Sequence, residues 1–281
     1  MKTKEAIDLF QSYQKSTHKK RTLQSYLPLL LRFGSQYGER LLKAIGPEEI
    51  FHFLEETTAG RARSTRRLRY AQLKAFYNFI INRCDFEMRN PCSISISLVS
   101  KAFKVAKPLP RKIPEKELID ELIYNTHSLR DRLMLELQAR CGLRIGESLK
   151  LKVSDICERR ILLREPKSGK EAEVAYMPEA VAKRISEYIR DANLSAEERL
   201  FPICYSTARA MIRNHGARLK MKITPHDLRR YSATYASRSG VPLEIISKVI
   251  LRHQDLKTTQ SYLGRVSESE AIRWMDILHG R

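Results

Sequence analysis

No apolar run in this 281-residue chain approaches the ~18 residues that a membrane-spanning helix needs, so no membrane partner is expected. Met1 to Phe10 is charged throughout and holds no apolar core of a secretory leader. Cysteine is scarce and odd in number: Cys84, Cys92, Cys141, Cys157 and Cys204 include no pair with metal-ligand spacing. They read as small apolar residues in a reducing cytosol. There is no evident carboxylate cluster for Mg²⁺, no internal repeat and no low-complexity tract. These absences lead us to expect a cytoplasmic globular protein.

What the chain has in excess is positive charge. Lys and Arg number 52 against 32 Asp and Glu, a formal balance of +20. Such an excess favours a polyanionic partner, because each phosphate neutralised releases condensed counterions. A generally basic soluble protein or one that binds anionic membranes would share the balance, so its distribution decides. Residues 57–84 hold no carboxylate but carry Arg61, Arg63, Arg66, Arg67, Arg69, Lys74 and Arg83. Residues 88–114 repeat this with Arg89, Lys101, Lys104, Lys107, Arg111 and Lys112, and residues 199–226 do so again. Three separate basic zones suit a long DNA duplex better than a small acidic ligand.

Apolar spacing predicts a mainly α protein with a small β-sheet. Residues 1–90 read as helices, with Thr22–Tyr37, Glu48–Glu56 behind Pro47, and a long helix capped by Ser64 and running to Asn82. That last helix should bury Leu68, Leu73, Phe76, Tyr77 and Ile80 and offer its first-turn arginines to phosphate. Residues 91–112, with three prolines and a run of basic side chains, predict a linker close to DNA. A second domain, 113–281, should contain helices from Pro114 and Ser128, and a hairpin of Arg160–Arg164 with Ala172–Met177. Helices from Pro178 and Thr207 should follow, then one capped by Thr224-Pro225 and ending near Gly240, and another from Pro242. A last helix over 267–279 should carry an apolar stripe of Ala271, Ile272, Met275 and Leu278.

Three short segments offer chemistry. Cys141-Gly-Leu-Arg-Ile-Gly-Glu147 sets Arg144 three residues before Glu147, a carboxylate able to orient the guanidinium. Thr224-Pro-His-Asp-Leu-Arg229 puts His226 and Arg229 on one helix face. Leu251-Arg-His253 is followed, nine residues after the histidine, by Tyr262. Transfer of a phosphodiester to a protein nucleophile needs an attacking group, cations on the non-bridging oxygens and an acid for the leaving oxygen. Arginine suits the second task, since its fork matches two phosphate oxygens. Taken singly, each segment has a plainer explanation: a surface salt bridge, a capping histidine, one of twelve tyrosines.

In order across about 120 residues, the set resembles the tyrosine recombinase (phage integrase) family, Xer-type enzymes in particular. The resemblance implies a helical (SAM-like) DNA-clamping domain at 1–90 and a mixed α/β catalytic domain at 113–281. It implies a nucleophile, Tyr262, that forms a 3′-phosphotyrosine with double-stranded DNA; the ester retains the bond energy, so no metal and no cofactor is implied. Arg144 and Arg229 would clamp the phosphate, His226 would act as general base, and His253 would hydrogen-bond a phosphate oxygen. Lys167 on the hairpin turn would protonate the leaving 5′-oxygen, with Lys170 the alternative, and Glu147 would orient Arg144. Arg61, Arg63, Arg66, Arg67, Arg69, Lys101, Lys104 and Lys107 would contact DNA. Self-association is implied too, monomer or dimer when free and tetramer on synapsed DNA, with the 267–279 helix docking on its own domain or on a neighbour. The family usually has Leu-Gly-His where this chain has Leu251-Arg252-His253. A type IB topoisomerase would share the chemistry, and a DNA-binding protein on a decayed catalytic fold would share the outline.

Overall fold

A computed structural model describes residues 1–17, 20–84, 87–94, 102–103, 113–166, 171–260, 263 and 268–279. The chain divides into two compact units, Met1–Pro108 and Leu109–Arg281. Both Lys167 and Tyr262 lie outside the described residues, as do Lys170, Lys101, Lys104 and Lys107.

The first unit is built from helices α1 (Thr3–Thr17), α2 (Lys20–Tyr37), α3 (Pro47–Thr58), α4 (Arg63–Arg83) and the single turn α5 (Pro91–Ile94). Its core is aromatic, with Phe10, Phe33, Phe53, Phe76 and Tyr77 all buried. Several of these rings meet edge to face, the arrangement their quadrupoles favour. Pro47 takes the first position of α3, with Glu49 closing back onto the Gly46 N–H at 2.9 Å. Two expectations for α4 fail. Its N-cap is Ala62, with no side-chain cap, and Ser64 is exposed. Leu68 is 48% exposed, because the buried face runs through Gln72, Leu73, Phe76, Tyr77 and Ile80 and continues back to Arg69. Arg69 donates to the Ser25 carbonyl at 2.8 Å and to Gln72 at 2.9 Å, so it ties α4 to α2. Cys92 and Phe103, which the sequence puts in the linker, are buried in this same core.

The second unit opens with α6 (Lys116–Tyr124), α7 (Leu129–Ala139) and the short α8 (Ile145–Ser148). Three antiparallel strands follow in the order β1 (Ile156–Cys157), β2 (Arg160–Arg164), β3 (Ala172–Tyr176). The β2–β3 pair is the expected hairpin, in register from Arg160↔Tyr176 to Arg164↔Ala172, and β1 is a strand too short for the sequence to announce. Alternation on β2 buries Ile161 and Leu163 against the helical core. The remaining elements are α9 (Glu179–Asp191), α10 (Tyr205–Arg218), α11 (Pro225–Arg238), α12 (Leu243–Ile245), a π-helical turn over Ile246–Ile250, α13 (Leu256–Gln260) and α14 (Glu268–His279).

The last helix makes contact with its own unit. Arg273 donates to the Arg238 carbonyl at 2.9 Å, and Trp274 lies so close to Gly240 that an added Cβ there would come within 2.8 Å of the indole. Of the expected stripe, Ile272 and Met275 are exposed, at 55% and 58%. No described helix is long and apolar enough to cross a membrane. The cysteines divide. Cys92 and Cys141 are buried as expected, and burial raises both thiols to about 12. Cys157 and Cys204 are exposed and are not core residues. Hydrogen bonds from Ser206 and Thr207 lower the Cys204 thiol to about 6.

Candidate active site

Four loop-to-helix junctions of the second unit supply the site. The first follows α7. The chain turns at Gly142 with φ +63°, where a Cβ would sit 2.7 Å from the Ile250 carbonyl oxygen, so glycine is required twice over. Arg144 then takes the N-cap of α8, and Glu147 folds back on it. The Arg144 backbone N–H donates to Glu147 Oε2 at 2.8 Å, and its Nη1 donates to Oε1 at 2.5 Å. Burial pushes the Glu147 carboxyl up, but the Arg252 charge, the Arg144 N–H and the Arg144 guanidinium outweigh it and hold the pKa below the usual range.

The second junction is the start of α11. Thr224 caps it reciprocally with Asp227, the Thr224 N–H donating to Oδ2 at 3.0 Å and Thr224 Oγ1 to the same oxygen at 2.6 Å. This fixes the first turn, with His226 at its solvent edge and Arg229 one turn deeper. Arg229 is only 1% exposed. Its two terminal nitrogens donate to the carbonyls of Gly142 and Leu251, and Nη2 lies 3.4 Å from His253 Nε2. A guanidinium buried to this depth survives because backbone dipoles and a carboxylate, Glu147 at 4.0 Å, face it.

The third junction is the π-helical turn, a feature that often marks functional positions. Its wide winding brings the His253 N–H onto the Ser247 carbonyl at 2.9 Å. His253 Nδ1 lies 3.0 Å from Thr259 Oγ1, on α13 at the fourth junction, and Thr259 Oγ1 in turn donates to Ser247 Oγ at 2.9 Å. Desolvation, then Arg229, Arg144 and Arg252, push the His253 pKa down to about 4. The His226 pKa is lowered as well, first by desolvation of the ring and then by Arg230. Both imidazoles are therefore neutral near pH 7.

Arg144, Glu147, His226, Arg229 and His253 are thus drawn from over a hundred positions of sequence into one electrostatically coupled cluster. Residues 113–277 match the Phage integrase family. The chain belongs to that family. Among curated relatives, the tyrosine recombinase XerA of Pyrococcus furiosus is 28% identical over 205 residues, covering 68% of this chain and 66% of the relative. The tyrosine recombinase XerC of Caldanaerobacter subterraneus is 25% identical over 237 residues, covering 79% of this chain and 65% of the relative. The chain spans just under two thirds of these two relatives' length. Among solved structures, the Tn1549 transposon integrase in complex with transposon right end DNA superposes with a TM-score of 0.74 at 14% identity, covering 99% of both chains. A lambda integrase dimer bound to a COC′ core site gives 0.73 at 16%, covering 93% of this chain and 95% of that one. At these identities the superpositions establish the fold.

The arginines of the N-terminal unit are placed less uniformly. Arg61, Arg63 and Arg67 are exposed. Arg66 stacks over the Phe103 ring at 5.0 Å and lies 3.8 Å from Glu55, and Arg69 is the α2–α4 tie already described. Sequence reasoning overlooked Thr259 and Ser247, whose hydroxyls fix the His253 ring. Their only signal is two small polar residues, each six positions from His253. It flagged Arg252 as a departure without finding its partners.

Proposed function

We propose that this chain is a tyrosine-type site-specific DNA recombinase, Xer-like or from a mobile element, acting through a 3′-phosphotyrosine intermediate. The observation that carries this reading is the convergence of Arg144 and Arg229 with His226 and His253 inside a chain of the phage integrase family. In the proposed reaction Tyr262 Oη attacks phosphorus, the P–O5′ bond breaks, and the products are a 3′-phosphotyrosyl ester and a 5′-hydroxyl. His226 takes the tyrosine proton, for which a neutral imidazole is the required form. Arg144 and Arg229 neutralise the non-bridging oxygens as charge shifts onto them. Lys167 gives the leaving oxygen its proton. Duplex DNA is the proposed substrate on two grounds: the charge balance of the chain, and the DNA bound in the integrase structures that share its fold. Arg61, Arg63 and Arg67 are proposed to position its backbone. Recombination further needs several copies on paired duplexes. Exposed Ile272, Met275 and Ile277 on α14 support docking between copies, as does an apolar groove of about 280 Å³ lined by Ile119, Ile123, Tyr231, Tyr235 and Val241.

The test is covalent capture. A library of nicked suicide duplexes with randomised arms is incubated with the protein, and SDS-stable adducts are sequenced. An adduct with defined flanking sequence, absent in Tyr262→Phe, is expected. Capture that survives Tyr262→Phe overturns the assignment. Binding without any adduct leaves a DNA-binding module. Relaxation of supercoils by dilute monomer, without synapsis, indicates a topoisomerase.

A further inference from the structure

Arg252 occupies backbone that disfavours it. Its φ is +51°, in the left-handed region where a Cβ is strained and glycine is at ease. Yet the side chain is 3% exposed and both of its terminal nitrogens are engaged. Nη1 donates to the Ile250 carbonyl at 2.8 Å, while Nη2 donates to Glu147 Oε2 at 3.0 Å and to the Gly142 carbonyl at 3.2 Å. Nε faces Glu173 Oε2, on β3, at 3.9 Å. One guanidinium therefore meets the Gly142–Glu147 segment, the π-helical turn and strand β3.

Two of those acceptors are shared with the phosphate clamp. Glu147 Oε2 also accepts the Arg144 N–H, and its Oε1 holds the Arg144 guanidinium. The Gly142 carbonyl also accepts from Arg229. If only the turn mattered, glycine would serve it without strain, so what the arginine adds lies in its side chain. We propose that Arg252 is a positioning residue for strand cleavage, holding Glu147 and the Gly142 carbonyl in place and through them the guanidinium groups of Arg144 and Arg229.

This inference rests on the recombinase reading, and the experiment separates the two. The duplex captured by the wild-type protein is used for single-turnover cleavage, alongside its Kd by fluorescence anisotropy and the Tm of each variant. Arg252→Gly suits the backbone and should keep the fold. Its cleavage rate constant should fall roughly 10- to 100-fold, the scale of a clamp displaced by about an ångström, with Kd changed less than about threefold. Arg252→Lys, which can reach one acceptor but not three, should recover part of the rate. In the Arg252→Gly background, Glu147→Gln should cost much less than it does alone, because the two act through one clamp. Arg252→Gln runs in parallel, so that an unfolded glycine variant does not decide the matter. Wild-type cleavage with equal rates in folded Arg252→Gly or Arg252→Gln overturns this inference alone, as does full additivity with Glu147→Gln. No adduct with the wild-type protein overturns the recombinase reading and this inference with it.

Discussion

The two units solve the problem of carrying many arginines in opposite ways. The N-terminal unit keeps an aromatic core free of charge and leaves Arg61, Arg63 and Arg67 at its surface, where a guanidinium costs nothing to solvate. The C-terminal unit buries Arg229 and Arg252 and surrounds them with backbone carbonyls and the carboxylates of Glu147 and Glu173. Surface arginines can follow a moving polyanion. Buried ones have fixed directions before any ligand arrives, and the proposed phosphate clamp depends on such preorganisation. The comparison predicts that the same change, arginine to a neutral residue, has different consequences in the two units.

The sharpest contrast is Arg229→Ala against Arg67→Ala. Losing Arg229 should lower the cleavage rate by about 10³-fold or more. It should also cost roughly 3 kcal/mol of stability, because two buried carbonyls and Glu147 lose a partner. Single-turnover assays and urea unfolding measure the two effects. Arg67→Ala should leave cleavage at saturating DNA unchanged and reduce the slope of log Kd against log salt by about one. Equal behaviour of the two variants would break the comparison. Next in size is Gly142→Ala, where a Cβ meets the Ile250 carbonyl at positive φ. A loss of about 2 kcal/mol or more is expected, read from urea midpoints. Leu73→Ala in the aromatic unit should cost roughly 2–5 kcal/mol, whereas Leu68→Gln on the same helix should change stability by less than about 0.5 kcal/mol.

A last effect is on pH dependence. His253 has a folded pKa of about 4, below its unfolded value, so the unfolded chain binds its proton first as pH falls. This histidine therefore withdraws stability as pH drops from about 6.5 to about 4, and contributes no slope above that window. His253→Gln should flatten the decline between pH 7 and pH 5 in urea titrations, and an unchanged slope would contradict the assigned shift.

Much of the architecture was legible because its signals are local. Thr224-Pro225 predicts a capped helix start, and the structure has the full reciprocal cap. The hairpin around residue 165 shows in alternation and turn chemistry. What escaped depends on distant partners or on backbone angles. Leu68 and Arg69 are neighbours whose fates are reversed by a hydrogen bond to Ser25, which no periodicity contains. Arg252 is unreadable without knowing that its φ is positive and that Gly142 lies against it. The paired hydroxyls of Ser247 and Thr259 depend on a π-helical winding that the sequence pattern does not distinguish from an ordinary turn. The arginines and histidines of the site were legible as an ordered series; the angles that aim them were not.

Trp274 is the sole tryptophan of the chain, and its indole rests against Gly240 beside the Arg273 guanidinium. Intrinsic emission excited at the indole band therefore reports on a single place, the seat of the last helix. If that helix leaves its own body during assembly, the indole exchanges one surround for another and the emission colour changes, with no dye attached. The protein carries its own optical gauge of whether its tail is home.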